Sequence, residues 1–207
     1  MTIQICYNVY MKTKNGTNPI KSYPRIQTPS ELQLFMMDNI KYGFVDRDGN
    51  KYFEDNKDYN KNWSEKYRLQ SADELLKTFC GTCWDQVELE RKWFAEHKYE
   101  FKTIFLGFKI SKPNNYPTHT FLAYFENSKW HWFENSFNDF CGIHEYISLD
   151  VLINDVISNY LHITINSGIA KPEDRKLIKY YGFQKPLLGL DIIKYLGHVT
   201  GGVKKIN

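Results

Sequence analysis

Three side chains in the middle of the chain have the types and the order needed for nucleophilic thiol chemistry. They are Cys83, His119 and Glu134. In thiol enzymes a thiolate attacks a carbonyl carbon, a histidine carries the proton, and a third group holds the histidine in the required orientation. We therefore predict acyl transfer, with Cys83 as the nucleophile, His119 as its base and Glu134 as the orienting group.

The sequence around Cys83 predicts that the thiol lies in the first turn of a helix. Thr82 and Asp85 have the spacing of a helix cap, and helix-forming residues follow them. The same pattern at Ser71 and Glu74 predicts a short helix just before this one. A thiol at a helix N-terminus beside a histidine ionises more readily than an isolated thiol, which favours the nucleophilic form.

His119 and Glu134 are predicted to meet on a β-hairpin. Residues 118–126 and 129–136 have strand character, and Asn127-Ser128 between them is a two-residue turn. In that register His119 and Glu134 are diagonal neighbours on one face, about 7–8 Å apart at the backbone, which a glutamate side chain can span. On a buried face, an imidazole and a carboxylate need each other as hydrogen-bond partners.

The two faces of this hairpin differ in polarity. The face that carries His119 and Glu134 is otherwise mainly apolar, so we expect the helix that begins at Cys83 to cover it. This face consists of His119, Phe121, Ala123, Phe125, Trp130, Trp132, Glu134 and Ser136. The opposite face is mixed and is expected to be partly exposed; it consists of Thr120, Leu122, Tyr124, Glu126, Lys129, His131, Phe133 and Asn135.

The motifs around the three residues are similar to those of the transglutaminase-like superfamily. Gly81-Thr82-Cys83-Trp84 resembles its Gly-x-Cys-Trp motif, and Thr118-His119-Thr120-Phe121 resembles the strand that its histidine begins. Residues 130–136 resemble its Trp-x-x-x-Asp-x-Thr pattern, with Glu134 in place of the aspartate. The superfamily includes transglutaminases, bacterial transglutaminase-like proteins and peptide N-glycanases, and it is distantly related to papain.

The resemblance implies an α+β fold with a papain-like core, in which the helix that carries Cys83 packs on an antiparallel sheet of four to six strands. Helical additions are expected at both ends of the chain. The expected substrate is a protein or peptide amide that is hydrolysed, deamidated or transamidated, and this chemistry needs no metal and no organic cofactor. Five further residues are candidates for substrate binding or for the walls of the site: Trp84, Gln86, Trp132, Asn135 and Ser136.

Alternative interpretations remain open. Asn135 could orient His119 as the amide does in papain, although its position along the strand places it on the other face. Cys80 and Cys83 form a Cys-x-x-Cys pair, which could be a redox dithiol or half of a zinc site, but the sequence has no second ligand pair. The fold could also serve as a catalytically inactive binding module.

The length and composition favour one compact domain. The chain has 207 residues, 42% of them hydrophobic and 16% aromatic, with a net charge of +3. Its charges are mixed along the sequence, which does not indicate a nucleic-acid partner. Four cysteines are few for a disulfide framework, and we expect neither a signal peptide nor a membrane span, so we predict a cytoplasmic protein. The sequence does not indicate an oligomeric state.

The predicted transglutaminase-like domain, 1–207, divides into three parts. They are a peripheral N-terminal extension at 1–70, the catalytic motifs at 71–145, and C-terminal helices with a strand at 146–207. Outside the hairpin and the two capped helices, the expected elements are a strand at 3–10, a helix that begins after Thr28, a surface loop at 52–66, a strand at 101–110, a helix at 148–161, a β-like segment at 162–166 and a short helix near 190–196.

Overall fold

The computed structural model describes residues 23–55, 59–108 and 117–201, which form a mixed α+β structure as predicted. The α-helices are α1 (Pro29–Asn39), α2 (Tyr59–Lys66), α3 (Ala72–Thr78), α4 (Cys83–Glu96), α5 (Leu149–Asn166) and α6 (Ile192–Gly201). The strands are β1 (Lys41–Val45), β2 (Lys51–Phe53), β3 (Cys80–Gly81), β4 (Glu100–Phe108), β5 (Thr118–Glu126), β6 (Lys129–Glu134), β7 (Gly142–Tyr146) and β8 (Ile178–Gly182). Short 3-10 helices occur at Tyr23–Arg25, Asn138–Phe140 and Pro172–Leu177.

The helices α1, α3 and α4 begin where their capping residues predict. Thr28 and Ser71 each accept a hydrogen bond from the backbone N–H three residues later, and the acid at that position reaches back to the cap. At Thr82 the contact is made by the acid, because Asp85 Oδ2 accepts from both the backbone N–H and the hydroxyl of Thr82. The predicted helix start at Cys83 is therefore confirmed.

An antiparallel sheet of five strands, in the order β7-β6-β5-β4-β8, forms the centre of the fold. Its β5–β6 hairpin has the predicted register, with Leu122 opposite Phe133 and Phe125 opposite Trp130. The turn residues Asn127 and Ser128 have φ angles of 52° and 64°, as the twist of a tight two-residue hairpin requires. The sheet therefore positions residues 119 and 134 as the sequence pattern indicates.

Both faces of this sheet are covered, and the prediction of which helix covers which face was wrong. α4 packs with Leu122, Tyr124 and Phe133, the face that was expected to be partly exposed. The apolar residues next to His119, among them Phe121 and Ala123, pack instead against α5. A central strand that is covered by helices on both faces has a nearly continuous apolar sequence, and residues 121–125 have such a sequence.

The helix α5, which covers this second face, is longer than predicted. It continues to Asn166, so the β-like segment predicted at 162–166 is wrong. The β-branched residues there favour a strand only weakly, and the spacing of the buried positions is helical. The buried residues of α5 are Leu152, Ile153, Val156, Ile157, Tyr160, Leu161 and Thr164. None of the helices in the described residues, α5 included, has the length and the apolar content to cross a membrane.

The segment from residue 23 to residue 70 is not peripheral, contrary to the prediction. It contributes fully buried side chains to the core around α4, including Leu32, Phe44 and Tyr67. The surface loop predicted at 52–66 is also wrong, because it contains the end of β2 and the helix α2. The strand predicted at 3–10 lies outside the described residues. A second sheet, in the order β2-β1-β3, connects this segment to the start of α4.

Replacing Leu152 with Ala should lower the free energy of unfolding by about 2–5 kcal/mol, because this fully buried side chain lies between α5 and the sheet. The control is Val151→Ala, at the adjacent helix position that is 45% exposed, for which we expect a change within about 0.5 kcal/mol. Urea denaturation followed by circular dichroism gives both values. Equal losses in the two variants would contradict the packing of α5 on the sheet.

Candidate active site

His119 and Glu134 form a buried pair between the two strands of the hairpin. His119 Nε2 lies 2.8 Å from Glu134 Oε2, and both side chains are almost fully buried. His119 is the second residue of β5, and Glu134 is the last residue of β6. The pair is therefore held at the open end of the hairpin, where the strands separate.

The two oxygens of Glu134 accept five hydrogen bonds. Oε2 accepts from His119 and from the Trp132 indole N–H at 3.1 Å. Oε1 accepts from the Ser136 backbone N–H at 2.7 Å, the Ser136 hydroxyl at 2.9 Å and the Phe137 backbone N–H at 2.8 Å. Burial alone would raise the pKa of Glu134, but the His119 charge and these donors outweigh it and lower the pKa. The side chain is therefore a carboxylate.

The imidazole ring of His119 is also fixed in orientation. It stacks on Phe137 at 3.6 Å between ring centroids, with 14° between the planes, and lies nearly parallel to Phe121 at 5.9 Å. Tyr160 on α5 lies nearly parallel to Phe137, with ring centroids 6.4 Å apart, and donates a hydrogen bond to the Pro117 carbonyl. The ring therefore cannot rotate away from Glu134 without disturbing α5.

The balance of charges favours a protonated imidazole. Burial lowers the pKa of His119 and is the largest single effect, since it disfavours the cation. The charge of Glu134, the nearby Cys83 sulfur and the hydrogen bond to Glu134 act in the opposite direction. Together they raise the pKa of His119 to about 9. At neutral pH His119 therefore carries a positive charge.

The thiol of Cys83 lies in the first turn of α4 and is 5% exposed. Glu134 binds one ring nitrogen of His119, whereas the other, Nδ1, is buried and has no hydrogen-bond partner among the described residues. The thiol is close enough to the ring to contribute to the raised pKa of His119, although it does not form a hydrogen bond of good geometry. Nδ1 is thus the nitrogen that is available to the sulfur.

Asp85 fixes the segment that precedes the thiol. Its Oδ2 accepts from Thr82, and its Oδ1 accepts from the Tyr67 hydroxyl at 3.0 Å and the Gln70 backbone N–H at 2.9 Å. Burial raises the pKa of Asp85 to about 6, although all of these donors act to lower it. A buried carboxylate with four donors makes the start of α4 rigid.

The backbone at the start of α4 leaves two N–H groups without a partner in the helix. The N–H groups of Asp85 and Gln86 both donate to the Thr82 carbonyl, which closes the first turn. The N–H groups of Cys83 and Trp84 precede that turn, so no carbonyl of the helix can accept from them. N–H groups in this position can stabilise the negative oxygen of a tetrahedral intermediate.

The remaining candidate residues from the sequence occupy different surroundings. Trp132 and Ser136 donate to Glu134, as described above. Gln86 Nε2 donates to the Gly81 carbonyl at 3.0 Å, and Asn135 Nδ2 donates to Gln86 Oε1 at 2.7 Å. His119 is therefore oriented by Glu134 and not by Asn135. Trp84 stacks on Tyr195 at 4.1 Å and packs in the core.

Two polar residues of the site were missed by the sequence analysis. Gln33 on α1 is buried, and its Nε2 donates to the Glu134 backbone carbonyl at 2.8 Å. Glu90 lies two turns after Cys83 and is buried, and one of its oxygens has no hydrogen-bond partner in the described segments. Burial and the charge of Glu134 raise the pKa of Glu90 well above its usual value. The sequence did contain a signal for Glu90, because it is an acidic residue at a position of α4 that faces the core.

Cys80, the other cysteine of the Cys-x-x-Cys pair, contacts a different part of the structure. The Cys80 thiol donates to the Phe44 carbonyl at 3.7 Å and lies against Gly43. Burial raises the pKa of Cys80 to about 11, which disfavours the thiolate that redox exchange requires. Within residues 23–55, 59–108 and 117–201, no group of three or more His, Cys, Asp and Glu side chains is arranged to hold a metal ion.

The His119–Glu134 pair should make the stability of the protein depend on pH above neutrality. Since the pKa of His119 rises from 6.5 to about 9 on folding, its contribution is complete below about pH 6.5 and is lost as the pH rises through about 9. The largest loss expected is roughly 3 kcal/mol, at about 1.4 kcal/mol per pKa unit. Urea denaturation between pH 6 and pH 9.5 measures it.

Two glutamine variants separate this effect from the titration of other groups. His119→Gln should not lose stability as the pH rises. His162→Gln, which changes an exposed histidine of α5, should lose as much stability as the wild type. If the loss has the same size in His119→Gln as in the wild type, the stabilising ion pair is disproved.

The sequence matches no protein-family model, and no curated protein matches it at a significant level. The case for a function therefore depends on the contacts of Cys83, His119 and Glu134 themselves.

Proposed function

We propose that the protein is a thiol-dependent acyl-transfer enzyme of the transglutaminase-like type that acts on a protein or peptide amide. Cys83 is the nucleophile, His119 the general base and acid, and Glu134 the group that orients and charges His119. The observation that carries the proposal is the buried His119–Glu134 hydrogen bond of 2.8 Å. The Nδ1 of the same ring has no hydrogen-bond partner within the part of the chain that the structure describes, and the thiol lies nearby.

The reaction follows from the order of these groups. The Cys83 thiolate attacks the amide carbon, the C–S bond forms, and the π electrons of the carbonyl move to its oxygen. Backbone N–H groups at the start of α4 stabilise this oxygen. When the carbonyl re-forms, the C–N bond breaks and the leaving nitrogen takes the proton from His119. Water or an amine then releases the acyl group from Cys83, with His119 accepting a proton from it.

Stability alone does not explain the arrangement. Replacing a buried ion pair with packed apolar residues is often neutral or stabilising, so the pair is weak support for a purely structural role. A buried ring nitrogen without a partner is a further cost that folded proteins rarely accept. Both features are expected where the ring must exchange a proton with a substrate, which favours catalysis over a binding module that has only inherited the fold.

The redox alternative is less well supported. A dithiol enzyme requires two sulfurs that approach each other and a thiolate that forms readily. Cys80 is held by the Phe44 carbonyl, and burial raises its pKa. A role for Cys83 without Cys80 agrees better with these contacts.

Acylation of the protein by p-nitrophenyl acetate tests the proposal. We expect the wild type to release one equivalent of nitrophenol in a burst at pH 7 and to carry the acetyl group on Cys83, as peptide mass spectrometry can show. His119→Ala should slow this burst about 10–30-fold, because without the imidazolium only a few per cent of the thiol is ionised at pH 7, while the nitrophenolate leaving group needs no proton.

The controls separate the three interpretations. Cys80→Ser should acylate like the wild type, and so should His162→Ala, which removes an exposed histidine of α5. Dependence on Cys80 would support the dithiol enzyme instead. Equal acylation rates in the wild type and His119→Ala would mean that Cys83 reacts as an ordinary thiol, and the enzyme proposal would then be rejected.

A further inference from the structure

Tyr42 lies on the strand that pairs with the segment just before the nucleophile. β1 and β3 are parallel, and their register places Tyr42 opposite Gly81, two residues before Cys83. Close packing fixes this register, because a Cβ added at Gly43 would lie only 2.9 Å from the Cys80 sulfur. The position of Tyr42 relative to the start of α4 is therefore fixed.

The face of β1 that carries Tyr42 is directed toward α4. Tyr42 and Phe44 share that face, since side chains alternate along a strand. The Phe44 ring contacts Trp63 and Tyr67, with centroids 5.6 and 6.3 Å apart. Both of those rings contact Trp84, the neighbour of the nucleophile, at 5.4 Å.

The hydroxyl of Tyr42 remains a proton donor at the pH values at which a thiolate forms. Burial raises the pKa of Tyr42 well above its usual value, and the negative charge of a Cys83 thiolate raises it further.

We propose that the Tyr42 hydroxyl donates a hydrogen bond to the Cys83 sulfur and thereby stabilises the thiolate from which acyl transfer begins. This inference rests on the proposed function and adds a fourth residue to it. When the sulfur attacks, its lone pair forms the C–S bond, the carbonyl π electrons move to oxygen, and the phenol keeps its proton. Tyr42 sets the ionisation of the nucleophile, whereas His119 transfers the proton to the leaving nitrogen.

The rate of alkylation of Cys83 by iodoacetamide, followed from pH 5 to pH 10 by peptide mass spectrometry, tests this role. In Tyr42→Phe the pH midpoint should rise by about one unit, so that alkylation at pH 6 becomes roughly tenfold slower. The plateau at high pH should not fall, because a less stabilised thiolate is the stronger nucleophile. Loss of packing alone would not move the midpoint.

For a second replacement of Tyr42 we expect the pH midpoint of alkylation to shift in the opposite direction. A fluorinated tyrosine inserted at position 42 has a more acidic hydroxyl and should lower the midpoint, because it donates a stronger hydrogen bond. The matched control is Tyr52→Phe in the same small sheet, whose hydroxyl donates to Asp46 instead and whose loss should leave the midpoint unchanged. Near-ultraviolet circular dichroism establishes that each variant is folded.

An unchanged midpoint in the folded Tyr42→Phe variant overturns this inference. If that variant does not fold, an unchanged midpoint with the fluorinated tyrosine overturns it equally. The same assay on His119→Ala addresses the proposed function separately. If the midpoint changes in Tyr42→Phe but not in His119→Ala, the His119 mechanism is rejected and the Tyr42 hydrogen bond is retained. If it changes in His119→Ala but not in Tyr42→Phe, only the hydrogen bond is rejected.

Discussion

The buried ion pair between His119 and Glu134 is the interaction on which the rest of the site depends. A carboxylate removed from water is tolerated only if its oxygens are hydrogen-bonded and its charge is paired. Residues 132–137 meet this requirement by placing an indole, a hydroxyl and two backbone N–H groups on the two oxygens. With Glu134 charged, a buried imidazole can remain a cation, and the sulfur of Cys83 gains a positive neighbour.

The fold brings the thiol and the ring together from opposite sides of one sheet. α4, which carries Cys83, packs on one face, and α5 covers the face to which Phe121 and Trp132 belong. His119 and Glu134 lie at the end of their strands, where a side chain from the start of α4 can approach the ring. In the small sheet β1 lies beside β3, so the segment before residue 70 helps to define the surroundings of Cys83.

The sequence could predict the local geometry of the site but not all of its surroundings. The caps at Ser71 and Thr82 and the turn at Asn127-Ser128 follow from short-range chemistry, and they fix the helix start and the hairpin register. The strand predicted at 162–166 was wrong, because Ile163, Thr164 and Ile165 are β-branched and their helical state is decided by packing. Gln33 and Tyr42 approach the site only through long-range contacts, for which a single sequence has no local signal.

The charge on His119 is the most direct test of this account. In a sample with ¹⁵N-labelled histidine, the His119 ring can be assigned by comparison with His119→Gln, and the nitrogen chemical shifts then report which ring nitrogens carry protons. The account predicts that both Nδ1 and Nε2 are protonated at pH 7 and that the ring titrates near pH 9. A neutral His119 ring at pH 7, with a single protonated nitrogen, would contradict it.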